Sequence, residues 1–357
     1  MSPKLLALAV ALGEQIEGKD LRQQRYVGAM LGGGLFNRVD LRGTTFAGAD
    51  LREAVFDSCD LRDADLRGAN LRKAVFHRCQ LGEAVLEGAV LDGVVMSDCR
   101  VEGAKLTGAA LNMANFSRCD LSRAQMRGCE LASSVFVQSR LAGADASDTQ
   151  WLHSALMECD IQDLVWERAR MTRTVFNKVD LSGRDFQGLE LDGCQFAFST
   201  LTGARFANTP LPQCNFQGAR LDGADFSGAH APNSVWAGVA GKQVLFVRAR
   251  LRQALFTSCM LPQARFDQAD LYQTHFADAQ LPMAVLHGAE LTYADFSRAD
   301  LRGVDAREAT MLRTCLHRSL TEAAQFTDRA RALETDPALA QAEQWQPPPL
   351  GGIASAP

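Results

Sequence analysis

Hydrophobic residues recur along this chain every five positions. Seventeen of the nineteen phenylalanines, from Phe36 to Phe296, stand at positions whose number ends in six, and leucine fills most positions ending in one. The register runs from Leu21 to Leu316. Two residues before each Leu or Phe centre stands a small residue, the positions flanking the centre are mostly polar, and the second residue after it is often Gly. Two inward and three outward positions in every five fit neither the 3.6-residue period of an amphipathic helix nor the alternation of an isolated strand. A chain that turns a corner every five residues satisfies the pattern, because each side then points one large and one small residue inward.

The number of sides is legible too. Cys59, Cys79, Cys99, Cys119, Cys159 and Cys259 are separated by multiples of twenty, and the Leu/Phe alternation has a period of ten. A closed coil of twenty residues with four sides places leucines on two opposite faces and phenylalanines on the other two. Sixty pentapeptides then predict an all-β solenoid, a quadrilateral parallel β-helix of about 15 coils. At a strand spacing of about 4.8 Å it is roughly 70 Å long. Right-handed winding is expected from the general bias of parallel connections.

The blocks Ala49-Asp50-Leu51-Arg52, Ala69-Asn70-Leu71-Arg72, Cys119-Asp120-Leu121-Ser122 and Ala224-Asp225-Phe226-Ser227 resemble the A(D/N)LXX repeats of the pentapeptide-repeat family, and the resemblance extends over residues 21–316. It implies a right-handed quadrilateral β-helix, usually in a bacterial protein. The family label says little about activity, although some members resemble duplex DNA in shape and charge and bind DNA gyrase.

A β-helix exposes unpaired strand edges at its terminal coils, so caps are expected. Residues 1–20 read as an N-terminal capping helix: Ser2-Pro3 is a helix start, Leu5, Leu8, Ala9, Leu12 and Ile16 share a helical face, and Gly18 stops it. A signal peptide is the rival reading of Lys4 and the apolar run from Leu5 to Leu12, but the run leads straight into the repeat with only a weak cleavage site. The repeat occupies 21–318. Residues 319–335 read as a second capping helix, with a capping box at Ser319 and Glu322, an apolar face of Ala323, Phe326, Ala330 and Leu333, and a stop at Asp336-Pro337. Residues 336–357, with Pro347-Pro348-Pro349 and Gly351-Gly352, read as a disordered tail. No run of about 18 apolar residues exists, so no membrane span is expected.

Composition adds no catalytic constellation. The six histidines are scattered, with no metal pair or motif around them. The aspartates lie mainly just before each centre, where a carboxylate can bind corner backbone amides. Nine of the ten cysteines fall in the small inward slot and read as packing thiols, for which Ser139, Ser199 and Ala219 substitute in the same column. Unpaired thiols fit a reducing cytoplasm. Cys315, off the pattern, is expected to be the most accessible. No enzyme activity, cofactor or metal is expected, because a bore filled by Leu and Phe leaves no buried pocket.

What remains is the outer surface, and its charge is mixed. Residues 21–80 carry ten Lys/Arg against seven Asp/Glu, and residues 81–240 carry thirteen against nineteen. The candidate basic patch is Arg22, Arg42 and Arg62 with Arg52, Arg67 and Arg72, but aspartates interleave it, so no direct nucleic-acid binding is expected. Two zones depart from the repeat: 146–186, with Leu164, Trp166 and Arg184, and 231–241, with Pro232, Trp236 and Gly241, where bulges or dents are expected. The candidate partner surface is Leu152, Met157, Phe198, Leu245, Val247, Leu255 and Tyr272, apolar residues placed outward by the register. These features point to a non-enzymatic rod that binds a protein partner as an adaptor or scaffold, monomeric or an end-to-end dimer. The alternatives are a DNA-mimicking gyrase or topoisomerase binder, implied by the resemblance, and an accessory of a bacterial secretion or toxin system.

Overall fold

Four five-residue sides return the chain to its starting direction. In the computed structural model, which describes residues 1–345, residue i pairs in parallel with residue i+20 along most of the chain. Each turn contributes four ladder columns, for example Gln15 to Leu35, Asp20 to Asp40, Arg25 to Thr45 and Met30 to Asp50. The four sides are face A, centred on Ile16, Phe36 and Phe56; face B, on Leu21 and Leu41; face C, on Tyr26 and Phe46; and face D, on Leu31 and Leu51. The product is a parallel β-solenoid of about 16 turns, roughly 70–75 Å long. The extra turn arises because residues 15–20 already pair with the next coil, and the chain beyond 318 pairs back onto the one before.

Every centre from Ile16 to Leu316 is buried, so the bore is a continuous apolar core. Hydroxyls in the small inward slot are satisfied by carbonyls of the turn before, as Thr44 Oγ1 donates to Leu21 O at 2.9 Å and Thr314 Oγ1 to Leu291 O at 2.8 Å. The second residue after nearly every centre has a positive φ, whether it is Gly43 at 62° or Glu53 at 58°. Its N–H feeds the ladder, as Glu53 N donates to Arg72 O at 3.0 Å, and that fixed pairing holds non-glycine residues in a region they otherwise avoid.

Face A changes character along the rod. From Gln15–Glu17 to Val175–Asn177 it is built of three-residue strands in one nine-stranded sheet; beyond them it is held by single bridges such as Gln195 to Asn215. In the later turns the centre's carbonyl closes a tight corner, as Ala219 N donates to Phe216 O at 2.9 Å and Ala279 N to Phe276 O at 3.0 Å. In the extended turns the ladder takes that carbonyl instead, because the pairing of Phe36 with Phe56 and of Asn37 with Asp57 sets Asp57 N on Phe36 O, and a side chain of the next coil adds a second donor. Cys59 Sγ donates to Phe36 O, Cys79 to Phe56 O, Cys99 to Phe76 O and Cys119 to Met96 O, at 3.3–3.5 Å. Ser139 Oγ completes both halves of the exchange, donating to Phe116 O at 3.2 Å and accepting from Cys119 N at 3.1 Å. A carbonyl has two lone pairs, and Cys and Ser fill the one that the ladder leaves.

Both ends differ from the expected caps. The N-terminal helix, α1, is Pro3–Ala11, with the Ser2 hydroxyl accepting from Leu5 N, and the chain is already a ladder strand at Gln15–Glu17. It lies on the first turn through Leu6, Ala9 and Val10, whereas Leu5, Leu8 and Leu12 of the expected face are exposed and Ile16 belongs to the core of the first turn. Residues 319–335 are not an α-helix. The growing ladder outcompetes the local capping signal: Gln325 N donates to Val304 O and Leu333 N to Thr314 O, both at 2.8 Å, and Ser319 Oγ turns back to Leu316 O. Asp336-Pro337 starts a helix instead of stopping one: α2 is Pro337–Glu343, with the Asp336 carboxylate accepting from Ala338 N and Leu339 N. An Asp N-cap followed by Pro at the first helical position is a start signal. Part of the stretch expected to be a tail is therefore ordered, and its remainder, 346–357, lies outside the described residues.

Candidate functional site

The interior is filled by packed side chains. Rings stack along face A at 4.8 Å between Phe36, Phe56 and Phe76, and no buried side-chain nitrogen or oxygen among the described residues lacks a hydrogen-bond partner. Two of the three tryptophans in face centres follow the same rule. Trp151 Nε1 donates to Thr149 Oγ1 and Trp236 Nε1 to Ser234 Oγ, each at 2.7 Å. Clefts lie on the surface; one of about 600 Å³ is a corner groove lined by Asp20, Arg22, Gln24 and Arg42 among others.

The arginines of the expected basic patch do not present free charge. Arg22, Arg42, Arg52, Arg62 and Arg67 each fork back onto the aspartate two residues earlier, with Nη2 to Oδ2 distances of 2.6–2.8 Å. Asn70 occupies that place before Arg72, whose guanidinium reaches Asp92 in the next turn at 3.0 Å. The Asp-Leu-Arg sequence brings this about, because the same carboxylate also accepts the arginine's backbone N–H, as Asp60 Oδ1 does from Arg62 N at 3.2 Å. The bidentate guanidinium of Arg22 holds the Asp20 carboxyl down at about 2, well below its ordinary value. The register stacks Arg22, Arg42 and Arg62 on one corner and sends Arg52, Arg67 and Arg72 to others, so the six form no single basic surface.

The apolar candidates also divide among faces. Leu152 and Tyr272 share a corner column six turns apart, Met157 and Phe198 lie at the far edge of face A, Leu245 and Val247 flank the face C centre Phe246, and Leu255 sits on face A. Leu152, Met157, Phe198 and Leu255 are exposed, and Leu245, Val247 and Tyr272 are partly covered. Phe198 lies over Gly218 of the next turn, where a Cβ would come within 2.7 Å of the ring. One local grouping does emerge, and it includes a residue that the register alone did not single out. Tyr272 and Tyr293, the two tyrosines outside the core, meet edge to face at 5.9 Å. Arg252 lies over the Tyr272 ring at 4.8 Å and Arg313 over Tyr293 at 5.9 Å. Their spacing of twenty-one residues, one turn plus one position, was the available clue.

The zone at 146–186 is a true discontinuity. Among the described residues no backbone hydrogen bond joins 160–169 to 180–189, although the preceding turn is sealed by Leu141 N to Asp160 O and Ala146 N to Val165 O, both 2.7 Å. Leu164 and Arg184 occupy the small slot in successive turns of face C, and their bulk fits the parting of the ladder there. Arg184 spans the gap, donating through Nη1 to Leu164 O at 2.8 Å and through Nη2 to Ile161 O, with its charge over the Trp166 ring at 5.2 Å. Burial pulls the Arg184 guanidinium below its ordinary value, against the pull of Asp163 and Asp180. Faces A and D stay paired across the break, through Val175–Asn177 on Ala155–Met157 and Arg170–Thr172 on Gln150–Leu152. The second zone, 231–241, neither bulges nor dents: His230 to Arg250, Val235 to Leu255 and Ala240 to Met260 keep the register.

The thiols follow the ladder. Nine cysteines are buried, and Cys315 is partly exposed beside the Ser297 hydroxyl at 3.3 Å. Burial pushes the thiols of Cys129 and Cys194 up to about 12, which keeps them protonated as donors to Leu106 O and Met171 O.

Comparison with known proteins agrees with this architecture. A family model described as pentapeptide repeats matches in eight copies at residues 35–72, 69–108, 114–150, 190–228, 249–288 and 284–320, together more than half of the chain. The stretch between 150 and 190, left unmatched, holds the discontinuity. Among solved structures, HetL, a pentapeptide repeat protein involved in heterocyst differentiation regulation from the cyanobacterium Nostoc, is 18% identical over 94% of this chain and 98% of its own, with a TM-score of 0.24. A pentapeptide repeat protein from the Arabidopsis thaliana thylakoid lumen is 28% identical over 27% of this chain and 68% of its own, TM-score 0.26. Trypsin-treated QnrB1, a plasmid-mediated fluoroquinolone resistance protein, is 21% identical over 50% and 89%, TM-score 0.35. Superpositions this loose carry no functional argument. No curated protein matches the chain.

Proposed function

Because this chain belongs to the pentapeptide-repeat family, a family of packed rods, we propose that it acts without catalysis, as an adaptor or scaffold that holds a protein partner against its outer surface. The contact centre is the cluster of Tyr272, Tyr293, Arg252 and Arg313, bordered by the exposed Leu255 and Leu312. The pairing of the two non-core tyrosines, each with an arginine over its ring, carries this reading. Tyr and Arg are the side chains that dominate protein-binding hot spots, and they combine apolar area with a polar or charged tip. The forked arginines near the N-terminal end are each held by two bonds to a neighbouring aspartate, whereas Arg252 has one, through Nε to Asp270 at 2.8 Å.

Capture from a native lysate on C-terminally tagged protein, compared with Tyr272→Ala/Tyr293→Ala, tests the proposal. The expected result is at least a tenfold weaker hold on the same captured protein, the equivalent of about 1.4 kcal/mol, with an unchanged melting temperature. Full retention by the double variant would refute the assigned surface. Capture of a topoisomerase subunit that is released by salt would favour DNA mimicry in its place.

A further inference from the structure

Helix α1 is apolar nearly all round, a composition that belongs in an interior and not at the end of a rod. Between Met1 and Gly13 its one charged side chain is Lys4. Leu6, Ala9 and Val10 are consumed against the first turn, yet Leu5, Leu8 and Leu12 are 53%, 55% and 67% exposed. These three stand at i, i+3 and i+7, the spacing of a two-helix seam. The first turn beneath adds Val27 and Met30, at 57% and 65% exposure, and Met30 lines a groove with Val10 and Ala11 of the helix. The same end carries open ladder positions, because Asp20, Arg25 and Met30 pair with the second turn only. Apolar side chains and an uncovered strand edge thus coincide at one terminus.

We infer that this end is an interface between two copies of the chain, joined N-terminus to N-terminus about a two-fold axis with the α1 helices packed antiparallel. A stripe of three leucines is self-complementary under such an axis: Leu8 meets its own copy and Leu5 meets Leu12. The near absence of charge on α1 removes like-charge repulsion between the copies, and it leaves none of the basic face by which surface helices hold anionic membranes. The area is sufficient. With opposed sheets about 10 Å apart and side chains outside them, the end of the rod covers on the order of 600 Å². Two copies then bury about 1,200 Å² in total, the lower bound for stable association. At that size the dimer should be reversible, with a dissociation constant of roughly micromolar order. At the far end, among the described residues, α2 is tied to the rod by Glu343, which reaches Arg318 at 2.8 Å and Arg298 at 3.1 Å. This inference is independent of the tyrosine surface and could stand if that reading failed.

Sedimentation of C-terminally tagged protein over a wide concentration range tests it. The expected result is a concentration-dependent doubling of mass, lost in Leu5→Ser/Leu8→Glu/Leu12→Ser with an unchanged circular dichroism spectrum. Because that variant could disturb α1, Leu8→Cys gives a second readout: mild oxidation should produce a disulfide-linked dimer, whereas Lys4→Cys should not. A wild-type protein that stays monomeric throughout, or one that binds neutral lipid vesicles as a monomer, would overturn the proposal. So would a dimer that persists in the triple variant.

Discussion

The first and second halves of the rod share a period but fill and seal their bores differently. Through the first half, face A carries rings while face C from Leu66 to Met126 is aliphatic, and the centre carbonyls of the extended face A strands, held in the ladder, take a second donor from thiols and hydroxyls of the next turn. From Phe186 to Phe276 both faces are aromatic. Rings stack along each face, as Phe206 on Phe226 at 4.7 Å, and meet the opposite face edge-on, as Phe216 and Phe226 at 5.5 Å and 82°. There the backbone closes its own corners, and Ala replaces Cys at positions such as Ala219 and Ala279. The discontinuity at Arg184 lies where one regime gives way to the other. A cysteine column in such a rod therefore sits where the corner is open and a thiol can reach the second lone pair of a ladder carbonyl, an addition that Val39 and Val179 of the same column do without.

The largest test of this contrast is Phe226→Ala. Its ring contacts Phe206, Phe216, Trp236 and Phe246, so truncation should cost about 3–5 kcal/mol, read as a lower urea midpoint. A loss below about 1 kcal/mol would mean that the interlock contributes little. Smaller, but more specific, is the comparison of thiols. Cys99→Ala, which removes the second donor to a Phe76 carbonyl that Ser97 N keeps in the ladder, should cost about 1 kcal/mol, and Cys99→Ser less. In the second half the backbone N–H of Cys259 already serves Phe256 O, so Cys259→Ala should lose about 1 kcal/mol or less. A larger loss for Cys99→Ser than for Cys99→Ala would show that the thiol contributes bulk and not a hydrogen bond.

The smallest effect separates the ends of the rod from its middle. Asp-Leu-Arg forks lie at 20–67 and the related Asp300–Arg302 and Asp305–Arg307 pairs at the other end. Asp20 and Asp305 are held at about 2 in the folded chain, below the ordinary 3.8 that they regain on unfolding. A carboxyl depressed in this way stabilises the fold above about pH 4, and that contribution disappears as pH falls through about 2. Thermal midpoints should fall over that interval. The fall should be smaller for Arg302→Gln/Arg307→Gln and in high salt, because exposed pairs are weak and screened.

Much of the architecture was legible because it depends on which side chains fit inside. A Leu or Phe at every fifth place, with a small residue two before it, leaves few solutions other than a square coil, and a twenty-residue recurrence of Cys59, Cys79, Cys99 and Cys119 displays the turn directly. The oversized Leu164 and Arg184 were visible as misfits. Their consequence, a ladder parted on two faces and held on two, was not. Nor was the tyrosine pair, which requires knowing that a corner residue and the one diagonally above it touch.

Sequence by itself determined the period, the four sides, the filled bore and the Asp-Leu-Arg corners, since each is settled within five residues or by inward side-chain size. Only the tertiary structure decided which donor closes each carbonyl, why 319–335 joins the ladder while Pro337 opens a helix, and which leucines of α1 face outward. Those outcomes turn on competition between a local signal and a partner one turn away, and on how a rigid helix settles on the end of a rod.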